Sequence, residues 1–290
     1  MPAPGSSDLT VASFNVHSGV DGWGRRFDVA AVCAHLDADV IVLQESWTPV
    51  GGKGMANEIG QQLGYFVSEL TTCAGRLSAA HPHPGKRWKP PSRRLDGPRV
   101  VLPDRTRAAA KTPISTQSPT WPSTRRWPHG TGSERGCWNL AVLSRLPVLH
   151  TDTIDLGQLR YDVARRGAIR IDVETRRGPV AVVGTHLAHL SRGSPLQIRR
   201  LRRWLEAIRV PAVLAGDMNL WGPPLVAQLP GWRRAVKGRS WPAWFPHSQP
   251  DHILVHGGLD VIEGSVLSAA GSDHRPVLAR LAVSSEAEGA

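Results

Sequence analysis

The stretch that decides the fold is AVLAGDMNLW, Ala212 to Trp221, in which an apolar run stops at Asp217 and an amide follows at Asn219. Ala212 to Ala215 read as a short buried strand. A strand buried on both faces carries its reactive groups at its ends, because only there can a polar side chain meet substrate and water. A lone Asp beside a strand more often serves a turn, so the stretch gains its weight from its surroundings. Outward from it the same arrangement recurs. Asn15 lies within the run Leu9 to Val16, Glu45 follows Val40 to Gln44, and His186 follows Val180 to Thr185. Asp251 precedes His252 to Val255, and Asp273 and His274 precede Pro276 to Leu281. Further strands are expected at Leu140 to Ser144 and Ala168 to Val173. Helical patterns lie between them. Ser194 and Pro195 start a helix whose apolar stripe is Ile198, Leu201, Trp204, Leu205 and Ile208, and a second helix covers Asp28 to Leu36, with Val29, Val32 and Leu36 facing inward.

Together these polar residues meet the needs of metal-assisted attack of water on a phosphoester. Glu45 and Asp273, with the Asn15 amide oxygen, are hard donors of the kind Mg2+ or Mn2+ prefers. Asp217 and Asn219 are two apart, so on extended backbone they point to one side, where one activates a water and the other fixes a phosphoryl oxygen. His186 and His274 meet phosphate oxygens, and Asp251 orients one imidazole. His17, His189 and His252 read as supporting or structural. Arg165, Arg166 and Arg170 serve either one phosphate contact or surface pairing. Trp221, Trp232, Trp241 and Trp244 form either a rim that stacks on a base or sugar, or the packing of a long loop.

The chain has 290 residues and a formal charge of +11. The excess is local: residues 73–136 hold 13 of the 35 Lys and Arg but 3 of the 24 Asp and Glu. This Pro- and Arg-rich segment reads as an irregular insertion, either a solvated loop or an electrostatic guide for a polyanionic substrate. Trp88, Trp121 and Trp127 lie among its charges. Cys33, Cys73 and Cys137 give no disulfide framework and no zinc spacing. No apolar run reaches the roughly 18 residues of a membrane helix, and the N-terminal stretch has no signal pattern. A single domain, monomeric and cytoplasmic, without stable membrane association, is expected.

The blocks ASFNVHSG (12–19), ADVIVLQES (38–46), AVLSRLPV (141–148), VVGTHLAHL (182–190), AGDMNLW (215–221), QPDHILV (249–255) and GSDHRPVLA (271–279) resemble, in order, those of the endonuclease/exonuclease/phosphatase superfamily, the deoxyribonuclease I-like fold. The resemblance implies an α+β fold, a four-layer α/β/β/α sandwich of two packed, mostly antiparallel sheets flanked by helices, with the active site at one end. It also implies Asn15, Glu45 and Asp273 at the metal, Asp217 and Asn219 positioning water and phosphate, His186 in the THL block, and Asp251 paired with His274. Which of His274 and Asp217 acts as base stays open. The basic insertion tilts the expected substrate towards nucleic acid. A phosphatase or phosphodiesterase acting on a small phosphorylated metabolite or lipid headgroup is the alternative, and a catalytically inactive nucleic-acid-binding module is the third reading.

Overall fold

The computed structural model describes residues 9–21, 26–78, 100–101, 133–159, 162, 164–189 and 194–284. Most of the basic insertion, with its three tryptophans, lies outside the described residues. The elements follow in the order β1 (Leu9–Asn15), α1 (Val29–Leu36), β2 (Val40–Pro49), α2 (Met55–Leu63), β3 (Phe66–Ser78), β4 (Val100–Val101), β5 (Ser133–Ser144), β6 (Val148–Gly157), β7 (Arg166–Thr175), β8 (Gly178–His186), α3 (Ser194–Leu205), β9 (Ala212–Asp217), α4 (Gly222–Ala227), β10 (Arg233–Arg234), β11 (Asp251–His256), β12 (Leu259–Val266) and β13 (Val277–Val283).

One sheet has the order β12-β13-β1-β2-β5-β3-β4, and the other β10-β11-β9-β8-β7-β6. Neighbours are antiparallel except for β1 with β2 and β8 with β9. Alternation along the strands builds the layers, since successive side chains point to opposite faces. Val40, Val42, Val180, Val182, Val213 and Ala215 face the core between the sheets. Their neighbours Ile41 and Leu43 pack under α1 and α2, while Ala181, Val183, Ala212 and Leu214 pack under α3 and α4. This is the four-layer sandwich expected from the sequence.

The sheets approach closely at Gly184 of β8, where a Cβ would stand 2.7 Å from Val142 Cγ2 and 2.8 Å from Val42 Cγ1. Gly184→Ala is therefore expected to destabilise the fold by about 1–3 kcal/mol through overpacking. The midpoint of urea unfolding measures this, and an unchanged midpoint would refute the close approach.

Local expectations need four corrections. The segment read as irregular from 73 to 136 is strand at both ends, since β3 runs to Ser78 and β5 begins at Ser133. Helix α1 begins at Val29 and not at Asp28; it buries Val29 and Leu36 as expected, with Cys33 beside them and Val32 packed, partly covered, against the same cluster. Asp28 caps that helix, its Oδ1 accepting from Ala31 N at 2.9 Å. Glu45 does not follow a finished strand but lies inside β2. Finally, Asn219 is not on extended backbone, because its φ is 50°. All three cysteines are buried and form no disulfide among the described residues, where no helix is long and apolar enough to cross a membrane.

Candidate active site

The two parallel pairs set the site. Asn15 ends β1, His186 ends β8 and Asp217 ends β9, while Asp251 opens β11 and is in register with Asp217. His186 is likewise in register with Asp217 across the β8–β9 pair. Asn15 Nδ2 donates to Asp217 Oδ2 at 3.1 Å, a bond that joins the two sheets, and approaches Glu45 Oε1 at 3.4 Å.

Glu45 reaches this position through a β-bulge. Leu43 pairs with Ala141 and Ser46 with Asn139, so Gln44 and Glu45 together oppose Leu140, and Glu45 takes a left-handed φ of 58°. A bulge of this kind re-aims one side chain without ending the strand. Asn219 is also left-handed. Its N–H donates to Asp217 Oδ1 at 2.9 Å and its Nδ2 to Leu187 O at 3.0 Å, which fixes the Asp217 carboxylate from below.

Asp217 is the hub. His186 Nε2 stands 3.6 Å and His274 Nε2 3.9 Å from its Oδ2. On the far side of the His274 ring, Nδ1 lies 2.9 Å and 3.1 Å from the two Asp251 oxygens. Ser240 Oγ holds Asp251 at 2.5 Å. The electrostatics divide these groups. Burial raises the Asp217 pKa towards neutrality, partly countered by His274. Burial opposes charge on His274, but Asp251, then Asp217 and Asp273, more than offset it and raise its pKa to about 10. His186 goes the other way: burial, then the Arg166 charge, push it well below its ordinary value. At neutral pH the site thus holds an imidazolium backed by a carboxylate, a neutral imidazole, and a carboxylate poised to take a proton.

Asp273 and Glu45 flank His17. Its Nδ1 lies 3.7 Å from Asp273 Oδ1 and 3.1 Å from Val20 O. Burial opposes charge on this ring, yet Asp273 and then Glu45 raise its pKa. Ser272 Oγ donates to Asn15 O at 2.7 Å, and Trp241 donates to the Asp273 carboxylate. The donor chemistry here fits a hard divalent cation, with two carboxylates and the Asn15 Oδ1, which accepts one bond from His17 N at 3.1 Å and keeps a second lone pair. Asp217, Asp251 and His274 also bring donor atoms within 4.8 Å of one another. Both His274 nitrogens face carboxylates, so a protonated ring leaves no lone pair for a metal, and this trio suits proton and charge management instead.

Every residue read from the sequence for the site therefore falls at this one end. The sequence reading gave His17 a supporting role, which its contact with Asp273 fits, offered Trp241 only as rim or loop packing, and missed Ser240 and Ser272. The only signal for them was adjacency, as in Ser272 beside Asp273. Arg165, Arg166 and Arg170 pair with Asp155, Asp162 and Asp172 respectively, and of these Arg166 acts on His186. Asn139 is buried and donates to Thr48 Oγ1 at 2.8 Å. Trp232 is core packing, stacked on His256, whereas Trp221 and Trp244 are exposed.

His252 is structural. It is buried, with Nε2 2.8 Å from Leu220 O, and burial lowers its pKa to about 4. Between about pH 6.5 and 4 the unfolded chain binds a proton there that the folded chain refuses, so stability is full above 6.5 and falls as pH drops. The expected loss is about 3 kcal/mol by pH 4. Urea unfolding at pH 7.5 and 5.0 measures it, and His252→Gln should flatten the difference. An equal slope in the variant would refute the assignment.

The model of the endonuclease/exonuclease/phosphatase family matches residues 12–274. The chain belongs to that family. Its members are hydrolytic, divalent-metal-dependent phosphoesterases. No curated protein matches the sequence. Among solved structures, an endonuclease/exonuclease/phosphatase from Beutenbergia cavernae has 23% identity and a TM-score of 0.59, covering 96% of this chain and 72% of that one. A mannosyl-6-phosphatase from Bacteroides thetaiotaomicron has 15% identity and a TM-score of 0.59, covering 94% and 99%. The human nocturnin catalytic domain with a bound sulfate has 16% identity and a TM-score of 0.54, covering 94% of each chain. At these identities the likeness is one of fold.

Proposed function

We propose that this chain is a nuclease of the family, hydrolysing phosphodiester bonds of nucleic acid by metal-assisted attack of water. The observation that carries the chemistry is the Asp217 hub, with a carboxylate of raised pKa within 4 Å of two imidazoles of opposite character. The strongly basic insertion supports a polyanionic substrate.

Glu45, Asp273 and the Asn15 Oδ1 are the residues that would hold Mg2+ or Mn2+. Bound there, the ion would supply positive charge to the nonbridging oxygens of the scissile phosphate. Asp217 takes the proton of the attacking water, since its raised pKa makes it a base of useful strength near neutrality. Asn15 Nδ2 and Asn219 N–H hold that carboxylate in place. His274, kept charged by Asp251, donates from Nε2 to the phosphoryl oxygens as negative charge builds on them. His186, neutral, hydrogen-bonds the same group. Asp217 is thus the base and His274 the electrostatic stabiliser.

A phosphatase acting on a phosphorylated sugar is the second reading, favoured by the similarity to the mannosyl-6-phosphatase. One panel separates the two: single- and double-stranded DNA, RNA, a phosphoinositide, mannose 6-phosphate and simple phosphomonoesters, in magnesium and in manganese, with EDTA controls. The expected result is cleavage of nucleic acid that EDTA abolishes. Turnover of monoesters alone would reject the nuclease reading.

A further inference from the structure

Beside the reaction centre lies an open cleft of about 310 Å³, lined by Trp221, Gly222, Arg234, Arg239, His247 and Gln249 among others. No carboxylate lines it. Its walls come from the same segments that carry the catalytic groups. Trp221 is two residues past Asn219, and Gln249 is two before Asp251. Arg239 adjoins Ser240, the residue that holds Asp251. The His247 and Trp241 rings meet at right angles with centroids 5.3 Å apart, and the same indole lies 6.4 Å from the His274 ring. Trp241 therefore links a residue that lines the cleft to one at the reaction centre.

Two features of the cleft lack a partner of the right kind. The Trp221 indole is 62% exposed, a large ring face left in water at the cleft mouth. Arg234 lies flat against Gly222, where a Cβ would stand 2.3 Å from its Cζ. One of its nitrogens donates to Gln249 Oε1, but its Nε has no hydrogen-bond partner, and burial works against its charge. Among the described residues, neither Arg234 nor the exposed Arg239 pairs with a carboxylate. Two guanidinium forks without a counter-charge suit a phosphate, whose oxygens they can meet pairwise. An exposed indole beside them suits a flat ring attached to that phosphate. The volume is at the lower end of small-molecule sites.

We infer that this cleft is a subsite for one nucleotide unit of the substrate, with its phosphate on Arg234 and Arg239 and its base on Trp221, next to the bond that is cut. The inference rests on the nuclease reading and narrows it: the substrate is a chain of at least two nucleotides, gripped on one side of the scissile phosphate. A sugar phosphate offers the anion without the flat ring, and a free nucleoside offers the ring without the anion.

The test is calorimetric titration of the full chain, in EDTA, with AMP, ribose 5-phosphate, adenosine and inorganic phosphate. Wild type, Trp221→Ser and Arg239→Ser are compared. Both substituted side chains are exposed, so the fold should survive, and melting temperature verifies this. AMP is expected to bind at least about tenfold tighter than ribose 5-phosphate or adenosine, the scale of one stacked base. Trp221→Ser should weaken AMP about tenfold while sparing ribose 5-phosphate, and Arg239→Ser should weaken both. Gly222→Ala, which displaces Arg234, should reproduce the Arg239→Ser result. Failure of wild type to bind AMP, AMP affinity unmoved by the variants, or ribose 5-phosphate bound as tightly as AMP each overturns the subsite. The substrate panel judges the nuclease reading separately. Nucleic acid cleaved without these responses removes only the subsite. The responses without such cleavage remove the nuclease reading and leave a nucleotide site.

Discussion

Asp217→Asn is expected to lower kcat by about 10³-fold while leaving the fold intact, an effect within the usual range for removal of a positioned general base. The substitution keeps the shape of the side chain and an oxygen for the Asn219 N–H, which now lies 2.9 Å from Oδ1. What it removes is the ability to take a proton and, with the amide oxygen on the Asn219 side, the acceptor for Asn15 Nδ2. The same change should flatten the dependence of stability on pH. Burial raises the pKa of Asp217 in the folded chain above its ordinary value. The stability associated with the protonated carboxyl is thus complete below the unfolded value of about 3.9 and is lost as pH rises through the folded value. A neutral amide has no such titration, so in EDTA the variant's melting temperature should change less between pH 5 and pH 8 than the wild-type temperature. Steady-state kinetics and thermal unfolding measure the pair. A kcat within tenfold of wild type would reject Asp217 as base and return that role to His274, while a sharp fall in melting temperature would mean the residue is chiefly structural.

How far the sequence led to this site depends on the kind of signal each residue leaves. Strands β8, β9 and β11 were legible because they are buried and read as apolar runs with a polar residue marking one end, and β1 and β13 because apolar residues dominate them despite Thr10, Ser13 and the exposed Arg280. Strand β6, by contrast, lies at the edge of its sheet and is largely exposed along VLHTDTIDLG, so no apolar pattern announces it. Strand β3 mixes Ser, Thr and Cys with its apolar positions and runs into the basic segment, which disguised it as the start of the insertion. Helix α4 carries two prolines in six residues, a composition that argues locally against a helix.

The chemistry of the site was legible at the level of residue type and much less so at the level of backbone. Asp217 and Asn219 are hydrogen-bonded to each other, but through a left-handed turn at Asn219 that folds its side-chain amide back onto Leu187, not through a shared strand face. Sequence spacing cannot report a positive φ on a residue other than glycine, because such conformations are imposed by surrounding contacts. The roles of the two imidazoles were equally hidden. His186 and His274 are the same residue type at comparable strand ends, and only the Asp251 carboxylate behind one and the Arg166 charge near the other give them opposite character.

Glu45 combines both kinds of information, and its substitution is expected to reduce metal-dependent turnover by about 10³-fold or more, since a divalent ion contributes several kcal/mol of charge stabilisation. Glu45→Ala and Glu45→Gly should be equally inactive, because neither offers an oxygen. They should differ in stability. The residue sits at φ 58° inside a bulge, a conformation that costs an ordinary side chain about 1–2 kcal/mol and glycine almost nothing. The glycine variant should therefore unfold at higher urea than the alanine variant, by about 1 kcal/mol, even though both have lost the same carboxylate. Activity within tenfold of wild type at saturating magnesium would reject Glu45 as a metal ligand. A glycine variant less stable than the alanine variant would reject the strained bulge. The expected pairing, with equal loss of turnover and unequal stability, would mean that strand β2 accepts a local cost in order to aim one carboxylate at the metal site beside Asn15.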